Sequence, residues 1–144
     1  MTLTGEYAQE KTPWVADQLA KIDEAGTTRA VDVAGMRVAV FTIRGRKSGL
    51  LRRVPLMRVE HEGVYALVAS KGGAPEHPAW YHNVQAHPEV DVLDGDQVVT
   101  GTARQISGAE RDEWWARAVE AFPQYAEYEK KTDREIPVLL VEPA

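Results

Sequence analysis

Between Arg44 and Arg53 the chain reads Arg44-Gly45-Arg46-Lys47-Ser48-Gly49-Leu50-Leu51-Arg52-Arg53, which puts five of its 17 Lys and Arg residues into ten positions. Two glycines permit a tight turn whose N–H groups form a concave nest for anions. Arg46 and Lys47 add full charges, and arginine grips phosphate or carboxylate with a bidentate fork. Arg52 and Arg53 are neighbours in an extended stretch and point to opposite faces, so only one is expected to line the same site as the turn. The spacing is not GxxxxGK[ST], so this is not a Walker loop. Two readings stand: a solvated hairpin turn whose charges aid solubility, and a seat for a phosphorylated or polycarboxylate ligand.

A second group is Ala69-Ser70-Lys71-Gly72-Gly73-Ala74-Pro75, which follows an apolar strand and precedes a helix near Pro78. Strand, paired glycines and helix N-terminus let backbone approach a planar or anionic ligand closely. Lys71 brings a charge, and Ser70 a hydroxyl that both donates and accepts. The competing reading is a loop that needs glycine only for its backbone angles. Trp80, Tyr81 and Asn83 come next, as core or rim aromatics and a backbone-binding amide, or as ligand contacts. Tyr125 and Tyr128, three apart, share a helical face that either packs or lines a substrate pocket.

Other chemistries are disfavoured. There are no cysteines, which removes disulfides, thiolate metal sites and a Cys nucleophile. The four histidines, His61, His77, His82 and His87, show no HExxH or other ligand spacing, so no metal is expected. A GxSxG elbow is missing. The net charge of -5 argues against nucleic-acid binding, which needs a basic face.

Several elements must position these groups. Pro13 to Ala25 is expected to be helical, capped by Thr12, started by Pro13, stopped by Gly26 and buried through Val15, Leu19 and Ile22. Val38 to Ile43, Arg53 to Val59, Val64 to Ala69, Val90 to Leu93, Val98 to Ala103 and Ile136 to Val141 read as strands. Glu62-Gly63 and Asp94-Gly95 are the expected hairpin turns. A helix from Pro78 must end before His87-Pro88. Another carries a capping box, Ser107 with Glu110, and an inner face of Trp115, Ala118, Val119 and Phe122. The 144 residues suit one domain, 1–144, with an α+β fold: a small barrel or bent sheet with peripheral helices. No basic and then apolar leader follows Met1, and no apolar run approaches a membrane span, so a soluble, cytoplasmic protein is expected.

Taken together, the segments resemble the deazaflavin-dependent nitroreductase family of actinobacterial oxidoreductases. The resemblance rests on Gly45-Arg46-Lys47-Ser48-Gly49 with Arg52 and Pro55-Leu56, on Ala69-Ser70-Lys71-Gly72-Gly73, on Pro78-x-Trp80-Tyr81-x-Asn83, and on Pro123-x-Tyr125-x-x-Tyr128 before Ile136-Pro137-Val138. It implies a split β-barrel like that of pyridoxamine phosphate oxidase and an F420H2-dependent reductase acting on quinones, nitroaromatics or unsaturated lactones and enones. It implies coenzyme F420 as cofactor, with its phosphate and oligoglutamate tail held by Arg46, Lys47 and Arg52, supported by Ser48, Gly49 and Pro55. Ala69, Ser70, Gly72 and Gly73 would line the deazaflavin, Lys71 would sit near ring or inner phosphate, and Trp80, Tyr81 and Asn83 would complete the cofactor site. Ser70 and Tyr128 are the candidates to hydrogen-bond the acceptor oxygen and assist its protonation. Tyr125 and Tyr128 would line the acceptor pocket.

Two rivals share these residues: an FMN-binding oxidoreductase, for which five basic residues are excessive, and a non-catalytic F420 carrier. The first helix has mixed charge and lacks the basic face of an interfacial anchor, so any membrane contact is transient and peripheral. A pocket built by one chain and a pocket in a homodimer are both compatible with the sequence.

Overall fold

The computed structural model describes residues 2–143. Helix α1 (Pro13–Ala25) begins at Pro13, which needs no N–H partner there, and ends at Gly26, whose left-handed φ of 75° lets its N–H reach the Ile22 carbonyl. Thr12 occupies the capping position, but its hydroxyl makes no capping bond. Beyond α1 come strands β1 (Asp32–Val33), β2 (Met36–Arg44), β3 (Leu51–Met57), β4 (Glu60–His61) and β5 (Val64–Val68). Helix α2 (Ala79–Ala86), strands β6 (Glu89–Asp94) and β7 (Gln97–Gln105), helices α3 (Gly108–Ala121) and α4 (Gln124–Lys131), and strand β8 (Val138–Pro143) complete the chain.

The ladders are antiparallel, in the order β1-β2-β6-β7-β8-β5-β4, with β3 on the remaining edge of β2. Beyond β3, Arg58 N–H donates to Arg37 O at 3.0 Å and Val59 O accepts from Ala66 N–H at 2.9 Å. These two bonds stitch the β3 end of the sheet to β5 and curl it into a half-barrel, the split barrel expected from the sequence.

Both faces of the sheet are buried, which explains why Val38 to Ile43 is continuously apolar rather than alternating. Val38 and Val40 pack with Leu19 and Ile22 of α1, Trp114 and Ala118 of α3, and Tyr125 of α4. Ala39, Phe41 and Ile43 face the other way, onto Val84 of α2 with Leu67, Val92 and Leu139.

Some boundaries differ from expectation for identifiable reasons. β3 starts at Leu51 rather than Arg53 because Leu51 already pairs with Arg44. Glu62 and Gly63 do form a tight turn, both with positive φ (53° and 83°), but it joins the short β4 to β5. Asp94 pairs with Gln97, so the hairpin turn is Gly95-Asp96, one residue later than the Asp-Gly signal indicates. The Asp94 carboxylate instead accepts from Tyr65 Oη (2.6 Å), Arg58 Nε (2.9 Å) and Arg37 Nη2 (3.0 Å), tying β2, β5 and β6 together. The capping box does not form: Ser107 makes no cap bond, and Glu110 is held by Arg104 Nη1 and Nη2 at 2.9 and 2.6 Å.

Candidate functional site

The basic segment links β2 to β3 as a closed loop. Gly45 N–H donates to Leu50 O at 2.8 Å, Gly49 N–H to Gly45 O at 3.0 Å, and Leu50 N–H to Ser48 Oγ at 3.1 Å. A Cβ at Gly45 would lie 3.0 Å from Ser48 Oγ and 3.3 Å from Arg52 Nε, so glycine lets the Arg52 guanidinium close over the loop. Arg44 braces the far side, donating to Gly49 O at 2.8 Å and Thr4 O at 2.9 Å. From α2, the buried Asn83 amide oxygen accepts from both the Arg46 N–H and Arg46 Nη1, each at 3.1 Å.

A cleft of about 650 Å³ opens beside this loop, lined by Arg46, Lys47, Ser48, Arg52, Pro55, Trp80 and Asn83 among others. Its outer wall is the N-terminal strap around Tyr7 together with the first turn of α1 at Trp14; these two side chains are 54% and 62% exposed. The strap is held by Leu51 N–H to Glu6 O and Ala8 N–H to Leu51 O, both 2.8 Å. Arg53 also lines the cleft, against the expectation that only one of the two arginines reaches it. β3 is an edge strand, and the cleft runs along its free edge, where residues of both faces border it. Arg53 differs from Arg52 in being engaged: Asp23 of α1 takes it in a fork at 2.7 and 3.1 Å. Arg46, Lys47 and Arg52 have no carboxylate partner among the described residues. Three unneutralised cations around a glycine loop with aromatic walls are a donor set suited to an extended polyanion carrying a ring system. Gly49 (φ 74°) shapes the turn without lining the cleft.

The Ala69–Gly73 stretch does not line this cleft. Ala69 and Ser70 are buried at the end of β5. Lys71, Gly72 and Gly73 follow in three successive left-handed conformations (φ 47°, 63° and 84°). Gly73 is obligatory, since a Cβ there would lie 2.8 Å from the Tyr128 carbonyl of α4. Lys71 is paired with Glu76 at 2.8 Å, and that pairing holds the Glu76 carboxyl below its usual range. Sequence reasoning missed Arg134. Its guanidinium donates to the carbonyls of Ala69 (3.2 Å), Ser70 (2.8 Å) and Ala74 (2.9 Å), and its Nη1 meets His77 Nδ1 at 3.0 Å. An arginine between Asp133 and Glu135 carries no local signal for such a role.

Tyr128 is half-buried beside this turn, with its ring under Lys131 Nζ at 5.6 Å. Tyr125 lies in the core at 3% exposure, edge-on to Phe122. Burial pushes its hydroxyl pKa up, and it does not line the cleft, which departs from the pocket-lining expectation. Tyr81 donates to Gln105 Oε1 at 2.7 Å and packs on His77, outside the cleft. Helix α2 follows the Ala69–Gly73 turn after residues 74–78 and brings Trp80 and Asn83 to the cleft. Among the described residues no helix is long and apolar enough to cross a membrane.

Comparison with known proteins places this site in a family. Residues 14–143 match the family model described as F420H(2)-dependent quinone reductase. An F420H(2)-dependent quinone reductase of Mycobacterium tuberculosis (strain H37Rv) is 32% identical over 100 residues, 67% of each chain. A solved structure described as F420-H2 dependent reductase FDR-A is 60% identical, with a TM-score of 0.70 over 73% of this chain and 93% of that one. Another, described as a domain-swapped dimer, is 56% identical, with a TM-score of 0.74 over 92% of this chain and all (100%) of that one. A pyridoxinephosphate oxidase family structure from Clostridium acetobutylicum shares the fold alone, at 12% identity and a TM-score of 0.52 over 88% of this chain and 85% of that one. "Quinone reductase", rather than "nitroreductase", is thus the name the matches carry. The chain belongs to the F420H(2)-dependent quinone reductase family, oxidoreductases whose cofactor is coenzyme F420.

Proposed function

We propose that this chain reduces a quinone-class acceptor with hydride from reduced F420, holding the cofactor's anionic tail in the cleft between the Gly45–Gly49 loop and the N-terminal strap. The carrying observation is that Arg46, Lys47 and Arg52 converge on one cleft of about 650 Å³ without carboxylate partners among the described residues. When bound, the reduced deazaflavin supplies the hydride. The chain's own task is orientation. Arg46, Lys47 and Arg52 bind phosphate and glutamates by charge-assisted bonds, with Ser48, Gly49 and Pro55 shaping the seat and Asn83 fixing the loop. Trp80 gives the cleft an aromatic wall. Ala69, Ser70, Gly72 and Gly73 would line a flat ring, with exposed Gly72 as the point of close backbone approach, the other three being buried, and with Lys71 and Tyr81 flanking it. Ser70 and Tyr128 are the candidates for hydrogen-bonding the acceptor oxygen and delivering its proton. Nitroaromatics and activated enones share the electron-poor character that such a site would serve.

The test is to follow the absorbance of reduced F420 with menadione, a nitroimidazole and a cyclic enone, while titrating F420 and FMN separately. Menadione-dependent oxidation supports the reading. F420 binding without oxidation would make the chain a carrier, and tighter FMN binding would make it a flavoprotein. We also propose that it forms a homodimer, supported by the 56%-identical relative described as domain-swapped; light scattering across a concentration series tests this.

A further inference from the structure

Ala69, Ser70 and Ala74 are consecutive landmarks of one turn, and their three carbonyls converge on a single guanidinium. Arg134 donates through Nε to Ala74 O (2.9 Å), through Nη2 to Ser70 O (2.8 Å), and through Nη1 to Ala69 O (3.2 Å). Nη1 also faces His77 Nδ1 at 3.0 Å. Because arginine only donates, that ring nitrogen is the acceptor and the imidazole is neutral. Four of the five guanidinium N–H groups are therefore spent on three backbone carbonyls and one ring.

The turn needs such a brace. Lys71 has φ 47°, a left-handed conformation that a non-glycine residue adopts only under strain. Gly72 and Gly73 continue in the same region, at 63° and 84°. The bonds local to the turn are two, Gly73 N–H to Ser70 O (2.9 Å) and Ala74 N–H to Lys71 O (3.1 Å). Pro137, three residues after Arg134, accepts the Ala69 N–H at 2.9 Å. Both polar groups of Ala69 are thus taken by the same Arg134–Pro137 segment. Among the described residues no carboxylate lies within ion-pair distance of Arg134, whose hydrogen bonds go to the three carbonyls and the His77 ring.

We propose that Arg134 is a positioning residue for hydride transfer: it fixes the Ala69–Ala74 turn in its left-handed form so that the backbone presents a flat, pre-formed seat. This inference rests on the reading that the turn holds the deazaflavin ring. Arg134 touches neither cofactor nor acceptor; it acts through the three carbonyls. A lysine there would keep the charge but could not span three carbonyls and an imidazole in one plane.

The test compares wild type, Arg134→Lys and Arg134→Ala by hydrogen exchange, by F420 fluorescence titration, and by turnover of reduced F420 with menadione. Amides 70–77 should exchange at least tenfold faster in both variants, with exchange elsewhere within about twofold. The kcat should fall tenfold or more in Arg134→Lys, while F420 affinity changes less than threefold because the tail cations are untouched. Unchanged exchange in the folded Arg134→Lys protein would overturn the proposal, as would faster exchange with unchanged kcat. If wild type neither binds nor oxidises reduced F420, the functional reading fails and the positioning role falls with it. Faster exchange of the turn in that case would leave only a structural brace.

Discussion

The Asn83 side-chain oxygen accepts two hydrogen bonds from one residue, the backbone N–H and the Nη1 of Arg46, both at 3.1 Å. Helix α2 thereby holds both the backbone and the charge of the Gly45–Gly49 loop through the side-chain oxygen of a buried residue. Asn83→Ala removes a charged hydrogen bond, about 1.5–3 kcal/mol, and leaves the loop free to drift. F420 affinity should drop about tenfold or more, while its salt dependence persists because Arg46, Lys47 and Arg52 remain. Fluorescence titration at two ionic strengths checks both parts.

Removing a charge should behave differently. Arg52→Ala deletes a cation that no carboxylate neutralises, so affinity for F420 should fall and its salt dependence should become shallower. Titrations between low and high salt separate this result from that for Asn83→Ala. An unchanged slope would mean that Arg52 shapes the loop without gripping the tail.

Gly72 and Gly73 offer a matched pair for stability. A Cβ at Gly72 meets nothing within 4 Å, whereas at Gly73 it lies 2.8 Å from Tyr128 O and 2.9 Å from Lys131 Cβ. Gly72→Ala should cost about 1–2 kcal/mol for its left-handed backbone alone. Gly73→Ala adds overpacking of about 1–3 kcal/mol. Urea unfolding of the two variants measures the difference; equal losses would show that α4 yields.

The barrel pin predicts a pH effect. Burial by itself would raise the Asp94 pKa. The hydrogen bonds from Tyr65 and Arg58, with the charges of Arg58 and Arg37, together outweigh burial and hold it below the usual carboxylate range. A depressed folded pKa stabilises the protein above the unfolded value of ~3.9 and loses that contribution as pH falls through the folded one. Asp94→Asn should therefore be less stable than wild type at pH 7, with the gap closing as pH falls through the depressed folded pKa. At the alkaline end, burial and the Asp94 bond push Tyr65 up to about 12. Its contribution should be complete below pH ~10 and vanish as pH rises through about 12, and Tyr65→Phe should remove that limb from a pH series of unfolding midpoints.

Much of this was legible in the chain, and the misses share a cause. Pro13, Gly26 and His87-Pro88 act on their own backbone, so α1 and the end of α2 fall where their residues require. The Arg46, Lys47 and Arg52 cluster was visible because charge density is local. The Asp94 turn and the Glu110 cap differ from expectation because other side chains claim those carboxylates: Tyr65, Arg58 and Arg37, 29 to 57 positions away, take Asp94, and Arg104, six positions away, takes Glu110. Arg134 was invisible for the same reason. Its partners lie 57 to 65 positions away, and a guanidinium that serves carbonyls leaves no complementary acid to read.

One further consequence follows from Pro55. Leu51 directs its N–H and carbonyl outward to Glu6 and Ala8, and alternation along a strand sends those of Arg53, Pro55 and Met57 the same way. The third rung of that outer ladder therefore has no donor, because proline carries none. The N-terminal strap is able to zip onto β3 at Leu51 and not much further, and a strand from a neighbouring molecule meets the same gap. The sheet stops growing here, and an open slot persists where another strand would otherwise lie.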